Sequence, residues 1–125
     1  MKTIAATIVI AASLAAAAQV NARPFSFAGV EFMSRDQRVP AAQAFVAENL
    51  PPGTPIASAL ETLRRARAFC RTPHAPSEPI ICTHRSFDRP PLDSEFIDVT
   101  WTVKVIPTAD GTVARATVRR STVGD

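Results

Sequence analysis

The sequence predicts an α+β domain in which two N-terminal helices pack on a three-stranded antiparallel sheet. The chain has 125 residues, which is enough for one hydrophobic core and too few for several domains. Helix-forming segments precede Cys70 and segments of alternating hydrophobicity follow it, an order typical of this class. We therefore divide the chain into a signal peptide at 1–22, an N-terminal arm at 23–38 and a single α+β domain at 39–125.

Residues 1–22 have the composition of a secretory signal peptide. Lys2 supplies a positive charge, Thr3–Ala18 forms an apolar run rich in alanine, and Val20 and Ala22 are the small residues of a cleavage site. The run is shorter than the ~20 apolar residues of a spanning helix, which favours cleavage between Ala22 and Arg23 over a retained membrane anchor. We therefore expect a periplasmic or secreted protein with no membrane span in the mature chain.

A break rich in proline separates the two predicted helices. Residues from Pro40 to Asn49 are strong helix formers, with Pro40 placed in the first turn, and Pro51-Pro52-Gly53 ends this helix. Thr54 followed by Pro55 has the pattern of a hydroxyl N-cap with proline at the first helical position. The second helix then presents one apolar face, formed by Ile56, Ala59, Leu60, Leu63 and Ala66.

The end of the second helix is set by the residues that follow Ala66. A helix continued to Cys70 would bring Arg67 into the apolar face and turn Phe69 to the opposite face. We therefore expect the helix to end between Ala66 and Ala68, with Phe69 and Cys70 turned inward on an extended segment.

Three later segments have strand character. Ile80–Phe87 is bounded by prolines, and Phe96–Ile106 alternates between apolar and polar residues as a half-buried antiparallel strand does. Asp110-Gly111 is a hairpin signal that leads into Thr112–Thr122. The side chains expected on the buried face are those of Ile80, Cys82 and His84, then Ile97, Val99, Trp101, Val103 and Val105, and finally Ala114, Ala116 and Val118.

The two cysteines, Cys70 and Cys82, predict one disulfide across a proline-rich loop, because an exported protein folds in an oxidising compartment. A loop of this size is worth about 3 kcal/mol on the chain-entropy account. The alternatives are reactive free thiols and a zinc site that adds His74 and His84 to the two cysteines. The spacing of these four residues matches no common zinc motif, so we predict the disulfide and neither a metal site nor a cofactor.

The charged residues exclude a dedicated nucleic-acid binder. Without Lys2 the 14 basic residues become 13, of which 12 are arginine, against 11 acidic residues, a charge density too low for that class. Arginine favours fixed ion pairs or anionic partners, such as phospholipid head groups or phosphorylated sugars. A surface for an anion or a partner is predicted at Arg64, Arg65, Arg67 and Arg71, and the alternative is an ordinary solvated helix end.

No arrangement of residues indicates catalysis. The sequence contains no nucleophile elbow, phosphate-binding glycine loop or HExxH motif, and His74 and His84 lack the partners of a triad. We therefore predict that the protein is not an enzyme.

Trp101 is expected to anchor the core. Packing is favoured over a recognition arm for Phe25, Phe27 and Phe32.

The segment Leu50-Pro-Pro-Gly-Thr54, the helix from Ile56 to Ala66 and the strand–turn–strand from Val99 to Val118 resemble exported bacterial proteins of the SmpA/OmlA type, the group that includes the BamE lipoprotein of outer-membrane assembly. This resemblance covers most of 40–122 and implies two helices followed by a three-stranded sheet. The chain departs from the group in lacking a lipobox, in carrying the two cysteines, and in placing Arg67 or Ala68 where a glycine often closes the second helix.

These patterns together predict a small exported, non-catalytic interaction module. Its expected partner is another envelope protein or an anionic envelope component. The alternatives are a small-ligand or metal-binding protein centred on Cys70, His74, Cys82 and His84, and an inhibitor of an exported enzyme that presents the loop Thr72–Pro79.

Overall fold

The computed structural model describes residues 24–88 and 97–123, which form three helices and one antiparallel sheet of four strands that lie side by side in chain order. The α+β class is confirmed. The described residues contain one helix and one strand more than the two helices and three strands expected. The missed elements, a four-residue helix and a two-residue strand, are too short to show a period in the sequence. The elements are α1 (Phe27–Val30), α2 (Arg35–Asn49), α3 (Ile56–Arg65), β1 (Phe69–Cys70), β2 (Ile80–Asp88), β3 (Ile97–Pro107) and β4 (Val113–Val123).

The predicted signal peptide at 1–22 and its cleavage site between Ala22 and Arg23 lie outside the described residues. The segment predicted as an N-terminal arm, 23–38, contains α1 and the first turn of α2. Phe27 in this segment is fully buried, and Phe25 stacks on Phe45 of α2 with ring centroids 4.4 Å apart. Phe32 is the exception, because its side chain is 92% exposed.

Both predicted helix starts are wrong in detail. Helix α2 begins at Arg35, so Pro40 lies inside it. Ser34 takes the N-cap position without a side-chain hydrogen bond, and Asp36 places a favourable negative charge in the first turn. Thr54 does not cap α3: its hydroxyl donates to the Pro51 carbonyl at 2.7 Å and closes the proline turn. Pro55 therefore takes the N-cap position.

Helix α3 ends at Arg65, one residue before the predicted range of Ala66 to Ala68, and its end is a Schellman turn with Ala66 at the C-cap position. The Arg67 N–H donates to the Arg64 carbonyl and the Ala68 N–H to the Leu63 carbonyl, while Arg67 itself takes φ +73°. The expectation that Phe69 turns inward is wrong. Phe69 pairs with Thr83 and Cys70 with Cys82, so the alternation of β1 leaves Phe69 71% exposed on the opposite face.

Replacing Arg67 by glycine is expected to raise the free energy of unfolding by about 0.5–1 kcal/mol, because glycine adopts a positive φ without the steric cost that a Cβ imposes. The backbone hydrogen bonds of the turn are retained. Urea denaturation measures the change, with Arg64→Gly as a control of equal charge that should lower stability by about 1 kcal/mol within the helix. Equal losses in both variants would contradict this account of the turn.

The helices cover one face of the sheet, where the core lies. Val99, Trp101, Val103 and Val105 are buried there, which confirms the alternation predicted for β3, and Ile80 and Cys82 of β2 join them. The β3–β4 register shifts between Ile106 and Pro107, so Val113 pairs with Pro107 and is buried. Ala114, predicted to face inward, is the extra residue of this bulge and is exposed.

Candidate functional site

The predicted disulfide between Cys70 and Cys82 is present, with an S–S distance of 2.00 Å. The two residues lie directly opposite each other on β1 and β2, so the bond fastens the shortest strand to the sheet. Both sulfur atoms are bonded, so neither is a thiolate available to a metal. Within the described residues, no three histidine, cysteine, aspartate or glutamate side chains are grouped in a way that could hold a metal ion.

The two histidines are placed differently. His84 lies on β2, where its Nδ1 donates to the Arg67 carbonyl oxygen at 2.7 Å and its ring stacks against Phe27. Arg67 is the residue with positive φ in the turn that closes α3, so this hydrogen bond holds that turn against the sheet. His74 is exposed in the loop before β2, and its backbone N–H donates to Glu78 Oε2 at 2.7 Å.

The structure brings together three of the four arginines predicted as a surface. Arg64, Arg65 and Arg67 line one shallow depression at the end of α3, whereas Arg71 lines another with His74, Glu78 and Lys104. Arg64 and Arg65 both bind Glu61, at 2.7 and 3.3 Å. Glu61 therefore neutralises part of the charge of the helix end, and the arginines lower the pKa of Glu61, with the Arg64 hydrogen bond as the main cause.

A cluster around Glu31, at the end of α1, was missed by sequence analysis. The indole Nε1–H of Trp101 donates to Glu31 Oε2 at 2.7 Å, and Arg120 Nη2 lies 2.8 Å from Oε1. Arg38 Nη1 lies 3.4 Å from the same carboxylate, and its other nitrogens donate to the Glu31 and Met33 carbonyls. The carboxylate thus joins α1, α2, β3 and β4.

The environment of Glu31 keeps its side chain ionised. Burial alone would raise the pKa of Glu31, but the hydrogen bonds from Arg120 and Trp101 and the charges of Arg120 and Arg38 outweigh burial and lower the pKa. The partners Trp101 and Arg120 are 70 and 89 residues away in sequence. The only local signal was a lone acidic residue in an aromatic segment, and this cluster stabilises the fold by joining its first helix to the sheet.

The sheet face opposite the helices, which we call the outer face, carries an excess of positive charge. It consists of the alternate residues of the strands that point away from the core. Asp98 is the acidic residue among its described positions. The basic residues on it are Arg71 directly after β1, Arg85 on β2, Lys104 on β3, and Arg115 and Arg119 on β4, all of them exposed.

The rest of the outer face is neutral. Threonines pair across it, as Thr83 does with Thr102 and Thr100 with Ser121, and the exposed aromatic side chains are Phe69 and Phe87. The ion pairs of the described residues involve none of the five basic side chains of this face. Their charge is therefore available to a partner.

Comparison with protein families, curated proteins and solved structures finds no match to this chain. The resemblance to SmpA/OmlA proteins therefore stays a prediction. Over residues 24–88 and 97–123, no helix combines the length and the apolar content needed to cross a bilayer.

Proposed function

We propose that this chain is a small exported, non-catalytic interaction module that binds an acidic envelope partner through the outer face of its sheet. The observation that carries the proposal is the charge of a face that the described helices leave open. Five basic side chains stand there against one acidic side chain, with no ion partner among the described residues. Such an arrangement attracts a partner of opposite charge and orients it.

The outer face supports this role better than the end of α3 does. Arg64 and Arg65 already share Glu61, and their side chains are 71% and 78% exposed, so they are solvated as well as paired. On the outer face, by contrast, the basic side chains have no ion partner among the described residues, so a bound partner competes with no existing pair.

The size of the face sets the expected strength of binding. Three strands of 9 to 11 residues, about 4.8 Å apart and about 30 Å long, give a flat area of roughly 450 Å², to which the two-residue β1 adds little. This is below the roughly 800 Å² that each partner contributes to a standard interface. We therefore expect weak binding that salt reduces strongly, because exposed charges are screened.

Photocrosslinking in cells tests the proposal at three exposed phenylalanines. We expect p-benzoylphenylalanine in place of Phe69 or Phe87, both on the outer face, to give the same crosslinked product. Phe32, on the helical layer, is the matched control and should not give that product. The double substitution Arg85→Gln and Lys104→Gln should remove the product, because it removes charge from the middle of the face.

The matched control for charge is Arg64→Gln with Arg65→Gln, which lowers net charge equally at the end of α3. A product that survives loss of Arg85 and Lys104 but disappears with the control would move the site to the helix end. A product formed only from position 32 would overturn the proposal. Crosslinks to lipid, and none to protein, would identify the partner as an anionic membrane surface and not as an acidic protein.

A further inference from the structure

A groove runs along the free side of β4, between this strand and α2. Its volume is about 410 Å³, and it is lined mainly by small or apolar side chains. Ala47 and Val46 of α2 form one wall, Leu50 and Pro51 close one end, and Ala114 and Ala116 of β4 form the other wall. The groove is therefore bounded on one side by a strand edge and on the other by a helix.

The edge of β4 is open beside this groove. In the described part of the chain β4 is the last strand of the sheet, and β3 is its strand neighbour. The segment before α3 covers only its first residue, since Val113 exchanges hydrogen bonds with Thr54 and Gly53. From Ala114 onward the edge presents backbone groups that are able to pair with another extended chain.

The side chains of β4 indicate what kind of chain fits. Arg115, Thr117 and Arg119 alternate on the outer face, so residues placed beside them on an added strand meet two positive charges. A second copy of β4 would bring like charges together, which is destabilising across strands. An acidic strand would instead complement them.

We propose that the edge of β4 and this groove bind an extended acidic segment of a partner protein, added to the sheet as a fifth strand. Alternate side chains of that segment would enter the groove beside Ala47 and Ala114 if apolar, and would contact Arg115 and Arg119 if acidic. Main-chain hydrogen bonds then supply affinity, and the alternation supplies specificity. The inference rests on the proposed function in treating the chain as an interaction module, and it assigns the sheet edge beside the outer face, with which it shares Arg115 and Arg119.

The probe is a synthetic peptide that alternates glutamate with valine, and its control alternates lysine with valine. Fluorescence anisotropy should show binding of the acidic peptide alone, and hydrogen exchange should slow at β4 amides beyond Val113. Ala47→Trp fills the groove and should weaken binding by at least about tenfold. Ala44→Trp is the matched control, since Ala44 is also exposed on α2 but lines a different depression, and it should bind like the wild type.

Replacing both Arg115 and Arg119 by glutamate should also weaken binding by about tenfold, as two exposed pairs become repulsive. If the basic peptide binds equally well, or if the two tryptophan variants change peptide binding equally, the proposal that the acidic segment binds in this groove is wrong. The double substitution of Arg85 and Lys104 should leave peptide binding intact while it removes the crosslink at the outer face. Loss of one binding event without the other therefore tells which of the two proposals fails.

Discussion

Replacing Glu31 by glutamine is expected to lower the free energy of unfolding by about 3 kcal/mol at neutral pH, the low end of the cost of breaking a buried ion pair. The Glu31 and Arg38 side chains are 11% and 10% exposed, so solvent cannot replace the lost carboxylate. Arg120 and Arg38 would be left with an amide that bears no charge, and one amide cannot accept from both Arg120 and Trp101 as well as the carboxylate does.

Acid should remove most of this difference. Folding lowers the pKa of Glu31, against the opposing effect of burial, through the Arg120 and Trp101 hydrogen bonds and the arginine charges. Its ionised form therefore contributes stability above the ordinary glutamate pKa, and this contribution is lost as pH falls through the lowered value. Urea denaturation at pH 7 and near pH 3 measures both proteins.

The control for the acid experiment is Glu61→Gln, which removes a carboxylate from an exposed position beside Arg64 and Arg65. Its effect at pH 7 should be far smaller than that of Glu31→Gln, because exposed pairs are screened by solvent. If the difference between Glu31→Gln and the wild type is the same at both pH values, the cluster stabilises the fold through packing and not through charge.

Replacing both Cys70 and Cys82 by alanine is expected to lower the free energy of unfolding by about 3 kcal/mol, because the unfolded chain regains the freedom that the cross-link removes. The loss of structure should be greatest at β1, which has two residues and, among the described strands, pairs with β2 alone. Thermal and urea denaturation of the variant and the wild type measure the loss.

A reductant separates the cross-link from the packing of its sulfur atoms. Cys82 is fully buried, so Cys82→Ala also removes packing, whereas reduction of the wild type leaves both sulfurs in place. The reduced wild type should lie between the oxidised wild type and the double variant, and reductant should not affect the variant. Unchanged stability on full reduction would contradict a role of the bond in holding the sheet together.

The predictions that the structure confirms rest on local patterns. The alternation of β3 is a repeat of two residues over eleven positions, and burial of Val99, Trp101 and Val103 follows from it directly. The end of α3 was likewise predictable, because Arg67 would have entered an apolar face. Neither inference needed to know which strand lies beside which.

The two helix starts failed on local details, whereas three other failures depend on how separate segments pair or contact each other. Ala114 was placed inward by simple alternation, and a bulge opposite Pro107 reversed it. Phe69 was expected to be buried for its apolarity, and the pairing of Cys70 with Cys82 turned it outward. Glu31 gave no warning, because its partners come from two strands near the other end of the chain.

The candidate site shows the same dependence. Sequence proximity grouped Arg71 with Arg64 and Arg65, whereas the register of the sheet groups it with Lys104. The basic residues of the outer face are spread from position 71 to position 119, so no window of sequence contains them. Their common orientation depends on strand order, which composition and periodicity leave open.

The contact between Trp101 and Glu31 makes the protein its own optical probe. Trp101 is the single tryptophan of the chain, and its indole N–H is held by a carboxylate from the first helix while its ring lies against Phe27. Its fluorescence therefore reports on one contact, the packing of the N-terminal segment against the sheet. Detachment of that segment would expose the indole to water and shift its emission maximum to longer wavelength, even while the strands stay paired.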